Sequence, residues 1–344
     1  MPTNRFTDFF DPDLSKVSAK ERIDASIALI EETRNYGHAL FARCACRPEG
    51  GDENIAILFL YYHLLEMLDA VGVLVAESAP VPAELQVRAI FEALLALSYM
   101  LQGDTVRRAH AYWVAAFADR IKFYETLDPS TPAGERYLAA LKSDPNCATM
   151  QIAPPRPEAI ANLKSGLAQP GYAEAYTEYR RLSRRRPADW YQLFGGPRNL
   201  RELAREIARE GTYEVLYGEW SILGHGKDAL LRNLVGGRTG GPAVRAIRNP
   251  ETIPQTVSFA ADFTLEATRL MLQRYRPGEA NSARRMVRER VSKFALCGGW
   301  RNRTSLASTA SGLDVKPTPL AVSDRRLSPA RNQTWIDLFS VWTS

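Results

Sequence analysis

The stretch IAILFLYYHLLEMLDAVGVLVA, residues 55–76, has the length and apolarity of a membrane span, yet His63, Glu66 and Asp69 interrupt it. A second stretch, LQVRAIFEALLALSYML at residues 85–101, carries Arg88 and Glu92 in the same way. Ionisable groups at that density are expensive in hydrocarbon, so both read as core helices of a soluble protein with no membrane partner. Asp52 or Glu53 starts the first helix, which is expected to reach about residue 77. Pro80 and Pro82 separate it from the second, expected over about 83–102, because proline is tolerated in a first turn but not in an interior.

Outward from this pair the same logic holds. Upstream, S-A-K-E from Ser18 has capping-box form, with Ser18 accepting at the helix start and Glu21 reaching back, and a helix is expected over about 19–45. Downstream, Gly103-Asp104 punctuates before a helix over about 105–127. Seven prolines between Asp128 and Gly171, at 129, 132, 145, 154, 155, 157 and 170, permit only short helices, near 133–142 and 157–166. Helices are expected again at about 172–185, 198–210 and 212–231, then, past a Gly-rich link at 236–241, at 254–274. No stretch alternates at period two for long enough to build a sheet, and no internal repeat shows.

These patterns predict an all-α protein: one multi-helix, bundle-like domain over 20–276 with a proline-rich excursion, preceded by an N-terminal arm, 1–19. A basic tail, 277–344, follows. Residues 284–296 could form one basic helix, and from about 298 Ser, Thr, Arg and Pro replace the hydrophobic periodicity, so disorder is expected.

At 344 residues with 45% hydrophobic content the chain can bury a substantial core. Lys+Arg 44 against Asp+Glu 39 gives +5, but the stretch from Arg284 onward holds eleven basic and four acidic residues. The preceding 283 residues are therefore at −2, which argues against a globally basic nucleic-acid-binding domain. Cys44, Cys46, Cys147 and Cys297 lack the spacing of a zinc site, and reduced thiols in a cytoplasm fit them best. MPTNRFTDFFDPD has no apolar run behind its charges, so no secretory signal is expected.

Three helices place polar groups along one stripe of an otherwise apolar surface. Tyr62, Glu66 and Asp69 stand at i, i+4 and i+7, with His63 beside them; Arg88, Glu92 and Tyr99 stand at i, i+4 and i+11. Tyr213, Tyr217, Ser221 and His225 advance by fours, drifting about 40° per step. Buried charge must be paired, so the stripes are expected to meet. Two readings of that meeting compete. In one, a structural network fixes helix packing; in the other, His225 is an acid or base, Arg88 binds an anion and Glu92 orients the imidazole. Gly224 and Gly226 flank His225, and glycine inside a helix usually has a reason.

The segment Arg88-Ala-Ile-Phe-Glu92-Ala, Trp190, R-E-L-A-R-E-I-A from Arg201 and Y-E-V-L-Y-G-E-W-S-I-L-G-H-G from Tyr213 resemble a bacterial all-helical family of unknown function. That family carries an Arg-x3-Glu helix followed by Tyr-x3-Tyr-x3-Ser-x3-His, and the resemblance covers about residues 50–275. It implies a fold class and no established activity. Its matching residues are Arg88, Glu92, Tyr213, Tyr217, Ser221 and His225, and by association it implies an anion- or nucleotide-binding accessory protein in a defence or stress system.

An RNA-cleaving alternative rests on helical domains of the HEPN kind, which use an Arg and a His on one helix with four to six residues between. Arg34-Asn35-Tyr36-Gly37-His38 has three, which favours a solvated helix face, and Arg107 with His110 is closer still. In space, Arg88 and His225 could imitate that metal-independent chemistry. Five arginines within 180–186, with Trp190 and Tyr191 nearby, offer phosphate contacts and stacking, so RNA or nucleotide binding there and on the tail is a partner expectation, beside homo-oligomerisation. Gly236–Gly241 lacks the lysine of a phosphate loop. No second Glu-x-x-His accompanies His63, Glu66 and Asp69, so neither a metal nor a cofactor is expected.

Overall fold

The computed structural model describes residues 12–46, 51–151, 153–184, 187–226, 229–236 and 242–279. The expected 298–344 disorder, the 284–296 helix, Cys297, and Arg185 and Arg186 of the arginine run lie outside these residues. The fold is all-α. After α1 (Pro12–Ser18), the long helices α2 (Lys20–Ala45), α3 (Asp52–Ala76), α4 (Pro80–Gln102) and α5 (Thr105–Leu127) follow one another through short connections. α6 (Pro132–Ser143), α7 (Pro157–Leu167) and α8 (Pro170–Leu182) then lie on α5, each opening on a proline, whose missing N–H is an orphan in a first turn anyway.

Past a 3₁₀ turn at Trp190–Gly195 come α9 (Leu200–Glu206), α10 (Glu210–Thr212), a π-helical turn at Tyr213–Tyr217, α11 (Gly218–His225) and α12 (Ala229–Asn233). A ladder of two three-residue strands, β1 (Leu234–Gly236) and β2 (Pro242–Val244), pairs Leu234 with Val244. The last core helix is α13 (Ile253–Tyr275).

The body is α2, α3, α4 and α13 packed around one core, in which Leu64, Leu65, Leu68, Ile90, Phe91 and Met271 are fully buried. Each such side chain contributes about 1.5–3 kcal/mol on leaving water. α3 has the length and composition to cross a bilayer, and in the fold it packs against α2, α4, α5 and α13. Gly37 lets α2 approach it, since a Cβ there would come within 2.5 Å of the Leu65 side chain. A smaller cluster joins α5 to α8 through Val114, Ala118, Ala175 and Tyr179, and Leu193 of the 3₁₀ turn closes it.

Several local expectations are corrected. Ser18 does not cap α2: residues 12–18 are themselves helical, the Ser18 hydroxyl donates to the Ser15 carbonyl at 3.0 Å, and Ala19 stands at the N-cap with no side-chain bond. α4 starts at Pro80 rather than near 83, because neither proline removes a hydrogen bond that a first turn would make. The helix expected over 212–231 is interrupted: α10, the π turn and α11 follow one another up to Gly226, whose φ of 64° is the left-handed cap that glycine adopts without strain, and α12 comes after it.

Candidate functional site

The stripe of α4 meets the π turn. Arg88 donates from Nε to Glu92 at 2.8 Å and from Nη2 to the Tyr217 hydroxyl at 2.5 Å, and its guanidinium lies 4.4 Å from the centre of the Tyr217 ring. Tyr217 in turn stacks on Tyr213, with centroids 4.6 Å apart and planes 16° from parallel. Burial opposes the charge of Arg88, but Glu92 and Tyr217 more than offset it, so the guanidinium is held more firmly protonated than usual. Burial, then the Glu92 carboxylate, pushes the Tyr217 phenol up, keeping it a neutral donor or acceptor. Arg201 adds a bond to Glu214 at 2.5 Å beside Tyr213. On the inner face, Trp220 is 4% exposed and packs edge-on against Phe91, Phe259 and Phe263, which anchors α11 to the core. π turns recur at functional sites, and here one sets the two tyrosines over α4.

His225 does not join this seam. It is exposed at the end of α11, eight residues and about 12 Å of helix axis beyond Tyr217. A Cβ on its neighbour Gly224 would sit 3.8 Å from Leu85, one turn back along α4, whereas the Arg88 side chain leans forward to Glu92. Among the described residues neither Ser221 nor His225 makes a hydrogen bond or ion pair with Arg88 or Glu92. An imidazole oriented by Glu92 is therefore not assembled.

Nor does the stripe of α3 meet the other two. It turns toward α2, where Arg34 pairs with Asp69 at 2.5 Å and Tyr62 lies against Phe41 and His38, with ring centroids 5.3 and 6.3 Å away. His63 approaches Glu66 at 3.8 Å on the exposed side. Arg34, Asn35, His38, Tyr62, Glu66 and Asp69 line an open cleft of about 580 Å³. The Arg34–His38 face, expected to be merely solvated, thus borders a cleft lined by ionisable groups from two helices. The reason is azimuthal: α3 packs its apolar surface against α2, α4 and α13, and its polar stripe falls at the edge of the contact with α2.

Sequence reading missed a third place. Tyr99, the far end of the α4 stripe, lines a cavity of about 180 Å³ with Arg107, Arg108, Trp190, Tyr191 and Phe194. The Arg108 guanidinium lies 3.7 Å from the centre of the Tyr99 ring and donates to the Tyr99 carbonyl; that of Arg107 lies 3.8 Å from the centre of Phe194. Phe194 at φ 59° and Gly195 at φ 77° turn the chain here. Gly196 is required by close approach, since a Cβ would fall 2.1 Å from the Tyr191 carbonyl oxygen and 2.7 Å from the Tyr99 hydroxyl. The available signal is the adjacent pair Arg107-Arg108 together with the aromatic pair Trp190-Tyr191. Among the described residues no three His, Cys, Asp or Glu side chains are grouped to hold a metal ion.

No curated protein and no solved structure matches the chain. One family model does, over residues 54–242, a span that holds the Arg88 seam and the aromatic cavity and begins after Arg34 and His38. Since that span is more than half of the chain, this all-helical protein belongs to the family of unknown function DUF5677.

Proposed function

We propose that the chain is a cytoplasmic bacterial accessory protein that binds a small anion or nucleotide. The observation that carries this reading is a set of arginine–aromatic pairs at the two ends of the α4 stripe: Arg88 on Tyr217, and Arg108 on Tyr99 with Arg107 on Phe194. Arg88 and Tyr99 belong to one stripe of α4, about 16 Å apart along its axis. Tyr191 links the two ends, since it lines the cavity and its phenol also lies within electrostatic reach of the Glu92 carboxylate. A guanidinium held over a ring keeps N–H groups for an anion, and an aromatic ring offers a face to a base. A body at −2 without its tail favours a small anion over a polymer. The setting in a defence or stress system follows from the resemblance alone.

The test is calorimetric titration of the full chain with inorganic phosphate and with the common ribonucleoside mono- and triphosphates. Saturable binding that weakens with salt is expected; no binding by any of these probes overturns the reading. A second reading, metal-independent RNA cleavage, is supported by the α2–α3 cleft rather than by Arg88 and His225. There His38 would move the proton of a ribose hydroxyl and Arg34 would stabilise the developing anion. Cleavage of an RNA oligomer lost in His38→Ala and kept in His225→Ala supports it; no cleavage by the unaltered chain removes it.

A further inference from the structure

The cavity beside α5 has a narrower meaning than the surface it terminates. We infer that it seats the base of a nucleoside monophosphate, with Arg107 and Arg108 taking the phosphate; this rests on the anion-binding reading and gives it a place and a ligand class. The size argument comes first. At about 180 Å³ the cavity is smaller than the ~300–1,000 Å³ of sites that enclose drug-sized ligands, so it admits one ring system and no more. Its lining is mixed in the way such a ligand demands: rings from Tyr99, Trp190, Tyr191 and Phe194 for a flat base, and two guanidinium groups for a phosphate.

Charge and hydrogen bonding agree with the size. Of the lining residues, Arg107 and Arg108 are cationic and Asp104 anionic, which leaves one positive charge. Asp104 is already engaged as the N-cap of α5, accepting from the Arg107 backbone N–H at 3.1 Å. Arg107 pairs with Glu174 at 2.6 Å on the open surface, a water-screened bond that a phosphate can replace. Arg108 is fixed by the Tyr99 ring and carbonyl, and a guanidinium has five donors, so a fixed one still presents N–H groups. Burial raises the phenols of Tyr99 and Tyr191, and Asp189 raises Tyr191 further, so both rings stay neutral and do not repel a phosphate.

The test is calorimetry on the full chain with the four common ribonucleoside monophosphates, the matching nucleosides, inorganic phosphate and an RNA oligomer. The expected result is that one or more monophosphates bind about tenfold or more tighter than the nucleoside or phosphate alone. Trp190→Ala should weaken that binding about tenfold, with Trp190→Phe restoring most of it. Arg107→Ala should weaken the monophosphate and leave the nucleoside unchanged. Gly196→Ala, which pushes the turn against Tyr191 and Tyr99, serves as a second variant where Trp190→Ala does not fold, and should also lose binding. If monophosphates bind but respond to Arg88→Ala and not to Trp190→Ala or Gly196→Ala, the cavity assignment is wrong while the anion-binding reading stands. Phosphate binding as tightly as the monophosphate, or the oligomer binding when no monophosphate does, overturns the base-seating role. If none of the probes binds, both readings fall together.

Discussion

Helices α3 and α4 each carry polar residues along one face, Tyr62, Glu66 and Asp69 on one and Arg88, Glu92 and Tyr99 on the other, and the fold uses them differently. The α4 stripe is covered by another element, the π turn, so Arg88 is half-buried and tied to both Glu92 and Tyr217. The α3 stripe borders an open cleft, so Asp69 meets Arg34 where water competes for both. Periodicity says which residues share a face. What covers that face decides whether they form a clamp or a solvated cleft.

The comparison can be broken most forcefully from beneath. Phe91 is fully buried under the seam, touching Phe263 at a centroid distance of 5.1 Å and Trp220 at 6.4 Å. Phe91→Ala should cost about 3–5 kcal/mol in urea unfolding and loosen α11 against α4. Faster amide exchange over 213–225 than over 34–38 would locate the damage on the seam side; equal change in both would show that the regions are not separable.

A pH series probes the same side. On α13, Asp262 is desolvated beside Glu266, with Arg209 only partly compensating, and its carboxyl is pushed up to about 7. Because the folded form holds its proton more tightly than the unfolded chain, stability from this group is full below about pH 4. It falls as pH rises toward 7, by up to about 1.4 kcal/mol per pH unit. Asp262→Asn should flatten that fall and raise the melting temperature at neutral pH; an unchanged slope would assign the titration elsewhere.

The two ion pairs give the sharper and smaller contrast. Arg88→Ala strips partners from Glu92 and Tyr217, both half-buried, and should cost about 1–3 kcal/mol. Asp69→Asn weakens an exposed pair and should cost about 1 kcal/mol or less, vanishing in high salt. Denaturation of both variants at low and high salt checks the order, and a larger loss at Asp69 would reverse the assignment of clamp and cleft.

Where local chemistry alone governs, the sequence was legible. The Gly103-Asp104 break stands where it is expected, with Asp104 capping α5, and that helix closes at Leu127, before Asp128-Pro129. Prolines at 132, 157 and 170 open the short helices of the middle segment. Where the outcome depended on a neighbour, the reading erred. Ser18 could not cap a helix whose upstream residues had already become another, and the break at Gly226 was hidden inside a pattern that continues past it.

The candidate site divides along the same line. Arg88, Glu92, Tyr213 and Tyr217 were legible because each pair lies four apart on one helix and both faces were rich in groups that need partners. The separation of His225 was not, since two turns along α11 carry it past the end of the covered surface. The aromatic cavity was invisible because its walls come from α4, from the start of α5 and from the 190–195 turn, joined by no spacing rule. The sequence by itself determined an all-helical chain with polar stripes, since helix periodicity and proline and glycine punctuation are local properties of the backbone. Only the tertiary structure decided which stripes touch. Contact between helices depends on their packing order and relative rotation, and these emerge from the burial of every apolar face at once.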